Sequence, residues 1–114
     1  MEKNDSFKIM KNTKVLVIDV VAFSKNFPKS EAVLKRKLQE ELFNLIKSLN
    51  FYIVNRTNSR IREKYIKDFI VSLSMVDFYF EYLYSHRIIS FNKYNALVEL
   101  VITIRKLAYG VLKK

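Results

Sequence analysis

Residues 12–27 read NTKVLVIDVVAFSKNF, and how they fold decides the class of the whole domain. Their Val and Ile content favours a β-strand. Their spacing favours a helix. Leu16, Val20, Phe23 and Phe27 fall at i, i+4, i+7 and i+11, while Asn12, Asp19 and Asn26 recur every seven residues on another face. An apolar stripe opposed by a polar one, with a period near 3.6 residues, is the signature of an amphipathic helix. The segment is read as helix 1.

The only proline of the chain follows at once, in NFPKSE, residues 26–31. Pro28 cannot continue helix 1, because its ring clashes with the preceding turn and it has no N–H to donate. Either Pro28 or Ser30 can open a second helix, with Glu31 complementing the dipole in its first turn. The stretch is therefore a corner between two helices, with Phe27 plugging the core.

Helix 2 is expected over 31–54, with Leu34, Leu38, Leu42, Leu45, Leu49 and Tyr52 as its seam and Lys35, Arg36, Gln39, Glu40 and Lys47 facing away. NRTNSR, residues 55–60, is a polar turn. Helix 3 is expected over 61–86, with Ile66, Phe69, Leu73, Val76, Phe80 and Leu83 inward. Ile70, Val71, Phe78, Tyr79, Tyr82 and Tyr84 lie off that stripe. A helix apolar on more than one side is buried on more than one side, and in so small a domain a second copy of the chain is the simplest cover. Ser90 is a natural N-cap for helix 4, expected over 91–112 with Tyr94, Leu97, Val101, Ile104, Ala108 and Val111 inward. Gly110 either admits a close backbone or weakens the last turn. Residues 1–10 read as a flexible tail, and 11–114 as one domain: an all-α, antiparallel, up-down-up-down four-helix bundle.

Composition agrees with this. One Gly and one Pro in 114 residues leave little for the tight turns of a β fold. The absence of Cys excludes disulfides and thiolate chemistry. A single His, His86, cannot furnish the Glu-x-x-His pairs of a bundle di-metal site and is read as a helix C-cap. There is no Gly-rich phosphate loop, and no Ser–His–Asp set can be placed. Asp19 and Asp77 lie in apolar surroundings and are read as partners of a Lys or Arg between helices. The expectation is a protein that is not an enzyme, with no cofactor, no metal and no small-molecule substrate. The polar opening MEKNDSFKIMKNTK and the lack of a membrane-length apolar run imply a cytoplasmic protein with no membrane partner.

The 21 Lys and Arg against 11 Asp and Glu give a net charge of +10. Such an excess suits a polyanionic partner through counterion release, without base readout. Arg56, Arg60, Arg62, Lys64 and Lys67 surround the helix 2–3 turn, and Arg105 and Lys106 precede the basic end at Lys113 and Lys114. Lys35, Arg36, Arg87 and Lys93 gather at the opposite end of an up-down bundle. These are the candidate nucleic-acid contacts. Ile70, Val71, Phe78, Tyr79 and Tyr82 are the candidate subunit interface.

NFPKSE and RIISFNKYNALVELVITIRKLAYGVLKK, residues 87–114, resemble the corner and the last helix of four-helix-bundle proteins of the accessory variability determinant (Avd) type. Ser90, Tyr94, Arg105, Leu107, Gly110 and Lys113 carry the second resemblance. Tyr109-Gly110-Val111 stands where the family usually has Gly-Gly-Trp. The resemblance implies a non-catalytic accessory subunit of a diversity-generating retroelement. It would form a homopentameric ring and bind reverse transcriptase together with template RNA or cDNA. A related group, encoded in ribosomal RNA intervening sequences, is the alternative, with ribosomal RNA as partner or a scaffold role.

Overall fold

The computed structural model describes residues 2–113, with side chains from Ser6 onward. Met1 of the expected tail and Lys114 of the basic C-terminus lie outside the described residues. Four helices run in alternating directions: α1 Glu2–Ser24, α2 Ala32–Val54, α3 Ser59–Ser85 and α4 Phe91–Leu112. Each packs against its neighbours in sequence, and α1 closes the square against α4. The result is an elongated body of 45 × 24 × 18 Å.

The helix reading of 12–27 holds, but α1 begins well before it. The expected tail is helical from Glu2, and Ile9 is fully buried. The inward stripe is Ile9, Thr13, Leu16, Val17, Val20 and Ser24. Two of its members are polar, which conceals the period in the sequence. Ser24 is satisfied: its Oγ donates to the Val21 carbonyl at 2.7 Å and accepts from Gln39 Nε2 at 3.0 Å. Gln39 therefore turns toward α1 instead of facing away. The buried Thr13 hydroxyl has no hydrogen-bond partner among the described residues.

The Pro28 corner forms as expected in outline. Three i→i−3 hydrogen bonds tighten the exit of α1, and the Pro28 carbonyl accepts from the Glu31 N–H at 2.9 Å. Ser30 is not a cap. Lys29–Glu31 make one 3₁₀ turn, and α2 begins after Glu31 without a side-chain cap. Phe27 packs half-buried against the core, edge-on to Phe23 at 5.7 Å.

The other two corners are capped by side chains. Asn58 Oδ1 accepts from the Ile61 N–H at 3.1 Å, starting α3 two residues before its apolar pattern does. Ser90 Oγ accepts from the Lys93 N–H at 3.1 Å. Each such cap contributes about 1 kcal/mol. At the end of α3, the Ile88 N–H reaches the Leu83 carbonyl (2.8 Å) and the Arg87 N–H the Tyr84 carbonyl (3.0 Å). This double reversal, the Schellman motif, forces the residue between into the left-handed region. That residue is Arg87, at φ 59°. Glycine takes this conformation freely, whereas a side chain there costs about 1 kcal/mol.

Leu38, Leu42, Leu45, Leu49 and Tyr52 of α2, the six predicted residues of α3, and Leu97, Val101, Ile104, Ala108 and Val111 of α4 fill one core. Leu34 and Tyr94, expected inside, pack at its margin.

Candidate nucleic-acid interface

The bundle gathers the candidate cations at its two ends and along α4, and it sets them to different tasks. At the α2–α3 corner, Arg56 and Arg60 are exposed. Arg62 is held. Its Nη1 donates to the Arg56 carbonyl at 3.0 Å, and its guanidinium lies over the Tyr52 ring, 5.7 Å from the centroid. Beside this corner a cleft of about 450 Å³ runs to the end of α4, bordered by Ser59, Arg60, Arg62, Glu63 and Lys113 over a floor that includes Tyr52 and Ile66. One turn further along α3 the charges cancel locally. Lys64 pairs with Asp68 at 3.0 Å, and Lys67 with Glu63 at 3.4 Å. The Asp68 hydrogen bond raises the affinity of Lys64 for its proton, so it stays charged throughout the neutral range.

Two other candidate cations serve the fold. Lys93 Nζ sits 2.7 Å from Asp19 Oδ2 and 4.5 Å from the Phe23 ring centre, tying α4 to α1. Arg105 Nη2 lies 3.7 Å from Asp77 Oδ2, tying α4 to α3. Both carboxylates thus have the cationic partners expected of them. Arg105 also borders, with Lys106, Ile102, Tyr109, Gly110 and Lys113, a shallow groove of about 420 Å³ on the outer side of α4. At the end that holds the Pro28 and α3–α4 corners, Arg36 and Arg87 are exposed and Lys35 is half-buried.

The same end carries most of the ring contacts. Tyr84 lies flat on Tyr94, with centroids 4.7 Å apart, and His86 on Tyr82 at 3.9 Å. His86 is the C-cap of α3, as expected, with Nδ1 3.0 Å from the Tyr82 carbonyl. Burial pushes the Tyr94 phenol above its ordinary value, and Glu81, Asp77 and Tyr84 add to the shift.

The candidate subunit surface divides. Val71 and Phe78 are 64% and 54% exposed, and Tyr82 is half-buried. Ile70 and Tyr79 pack against this chain's own core. Met75 falls on the same outward row as Val71, Phe78 and Tyr82, at i, i+4, i+7 and i+11, and is exposed. It escaped the sequence reading, although that spacing was available to find it. Among the described residues no group of three His, Cys, Asp or Glu could hold a metal ion, and no helix is long and apolar enough to cross a membrane.

The chain matches no family model and no curated protein. Its fold is similar to that of a crystal structure from Bacteroides thetaiotaomicron VPI-5482, described as a protein with unknown function from the S23 ribosomal protein family. The two superpose with a TM-score of 0.87 over 96% of this chain and 99% of the other, at 10% sequence identity. That likeness establishes the four-helix architecture and its order of connection.

Proposed function

We propose that this chain is a non-catalytic, nucleic-acid-binding helical subunit of the cytoplasm, assembled from several copies and working beside a reverse transcriptase as the accessory protein of a diversity-generating retroelement. One observation carries the nucleic-acid part of the reading. Arg56 and Arg60 stand exposed at the α2–α3 corner, next to a guanidinium held by a carbonyl and a ring, at the mouth of a cleft that Arg60 and Lys113 border. Phosphate groups reward such a fork of donors through counterion release and bidentate hydrogen bonding. The retroelement context rests on the resemblance of the NFPKSE corner and the last helix.

The test is a filter or gel assay on the intact protein over a series of salt concentrations. The double variant Arg56→Glu/Arg60→Glu should bind a structured RNA more weakly and flatten the log–log salt slope by about 1.4–1.8 if two phosphate contacts are lost. Unchanged binding at low salt would remove the reading. A complex with reverse transcriptase but no affinity for RNA alone would make the protein a scaffold instead.

A second reading has its own support. The structural neighbour carries the name of a ribosomal protein family, which suits a ribosomal RNA intervening-sequence protein with ribosomal RNA as its ligand. The gene's neighbours separate the two. A reverse transcriptase gene with paired template and variable repeats favours the first, and an enclosing ribosomal RNA gene the second.

A further inference from the structure

The α3–α4 corner, residues 82–94, reads YLYSHRIISFNKY. It holds five ring side chains (Tyr82, Tyr84, His86, Phe91 and Tyr94), two cations and no carboxylate. We propose that this corner is a stacking site for unpaired nucleotides of a single-stranded nucleic acid, with Phe91 and Tyr84 as the ring platform and Arg87 as the phosphate contact. The proposal rests on the nucleic-acid reading above and narrows it to strands with unpaired bases.

Three observations converge. First, the platform is open and already ordered. Phe91 is 59% and Tyr84 39% exposed. Tyr84 is braced from behind by Tyr94, nearly parallel at 13°, and Phe91 leans on Tyr84 at 5.9 Å and 57°. A base that stacks here would meet rings whose rotamers their neighbours hold, so little side-chain freedom is left to lose.

Second, Arg87 occupies a left-handed backbone position where glycine would be less strained. Its side chain is exposed and forms no ion pair among the described residues, so the bundle gains nothing evident from it. A strained, solvent-facing Arg at a fixed corner motivates a role outside the chain. Its guanidinium suits phosphate, and it can also lie against a base.

Third, the local charge selects the partner. No carboxylate lies between Tyr82 and Tyr94 and Lys93 is turned onto Asp19; Glu81 and Asp77 lie near enough to act on the Tyr94 phenol, Asp77 being paired with Arg105, and the corner presents rings and an Arg87 with no ion pair among the described residues. A second copy of a chain with a net charge of +10 is poorly matched to that. A polyanion that also offers π faces is well matched. Duplex nucleic acid offers only phosphate here, because its bases are stacked on one another.

The experiment measures the binding of three labelled probes to the full chain by fluorescence anisotropy: an oligo(U) strand, an oligo(dT) strand and a blunt RNA duplex of equal charge. Two variants are compared with wild type. Phe91→Ala removes an exposed ring and should weaken both single strands about 5- to 100-fold, with duplex binding within twofold of wild type. Arg87→Gly should lower the single-strand salt slope by about 0.7 while raising the unfolding temperature, so that weaker binding cannot be ascribed to loss of fold. Loss on one single strand only would mark the 2′-hydroxyl or the C5-methyl group, the two features by which the strands differ, as read by the site, and the stacking assignment would stand for that strand. Wild-type binding to the single strands with both variants within twofold would overturn the corner site and leave the proposed function standing. Equal losses on strand and duplex with Phe91→Ala would likewise refute stacking. Failure of the wild type to bind any probe would overturn both.

Discussion

Gly110→Ala is a sharp test of whether the bundle as described is complete on its α4 side. Gly110 lies within α4, three residues before the Lys113 cap, and its backbone is not left-handed. A Cβ built there meets nothing within 4 Å. Within this chain, then, the glycine admits no close backbone, and only its conformational freedom remains as a consequence. Glycine is about 1 kcal/mol less favourable than alanine in a helix interior, and less so in a last turn. Alanine should therefore stabilise the bundle by about 0.5–1 kcal/mol. For a domain of this size the entropy of unfolding converts that into a rise of about 2–4 °C in Tm. Thermal unfolding followed by circular dichroism at 222 nm, far into the helical signal that dominates this fold, reads it directly, at low and at high protein concentration. An unchanged or lower Tm with full helix content would refute the reasoning. A loss that grows with concentration would locate another copy's backbone against this turn, giving Gly110 the close-approach role that the single chain denies it.

Four further outcomes are expected. Phe69→Ala opens a cavity at a fully buried ring and should cost about 3–5 kcal/mol in urea unfolding, a large share of the total stability; a loss under 1 kcal/mol would place that ring outside the core. Thr13→Val replaces an unpartnered buried hydroxyl by a methyl of the same shape and should stabilise by about 1 kcal/mol, against the usual cost of altering a core residue. The double variant Val71→Asp/Phe78→Asp should hold the chain monomeric in sedimentation while wild type assembles; a monomeric wild type at micromolar concentration contradicts the account of the α3 outer row. Because the folded Tyr94 phenol is raised above 10, the unfolded chain ionises first; stability is full below that value and declines as the pH rises through it, a decline that Tyr94→Phe should reduce.

The helices were legible wherever apolar spacing alone specified burial. Helix α4 runs over 91–112, as its pattern requires, and the six inward residues of α3 are those the period selects. The sequence reading fell short where a polar group did an apolar residue's work. Thr13 and Ser24 interrupt the stripe of α1, so its first turns read as tail. Ser30 has the chemistry of a cap but sits inside a 3₁₀ turn, where its side chain caps nothing. Asn58 starts α3 ahead of Ile61, because a cap acts on backbone N–H groups and need not border the first apolar residue.

The charged surface was legible in amount and sign but not in assignment. Lys93 and Arg105 look in the sequence like Arg56 and Arg60, yet the former bridge helices and the latter face water. The difference is set by residues 74 and 28 positions away, Asp19 and Asp77, which only the packed bundle brings within reach. Antiparallel packing of α4 against α1 and α3 uses these cations to neutralise two carboxylates at helix interfaces. Of the candidate contacts, Arg56 and Arg60 on one end and Arg36 and Arg87 on the other therefore stay exposed to an approaching polyanion. Arg60 stands in the first turn of α3, which the Asn58 cap opens, and Arg87 in the reversal that ends the same helix, so at these two positions the device that bounds the helix also places the charge.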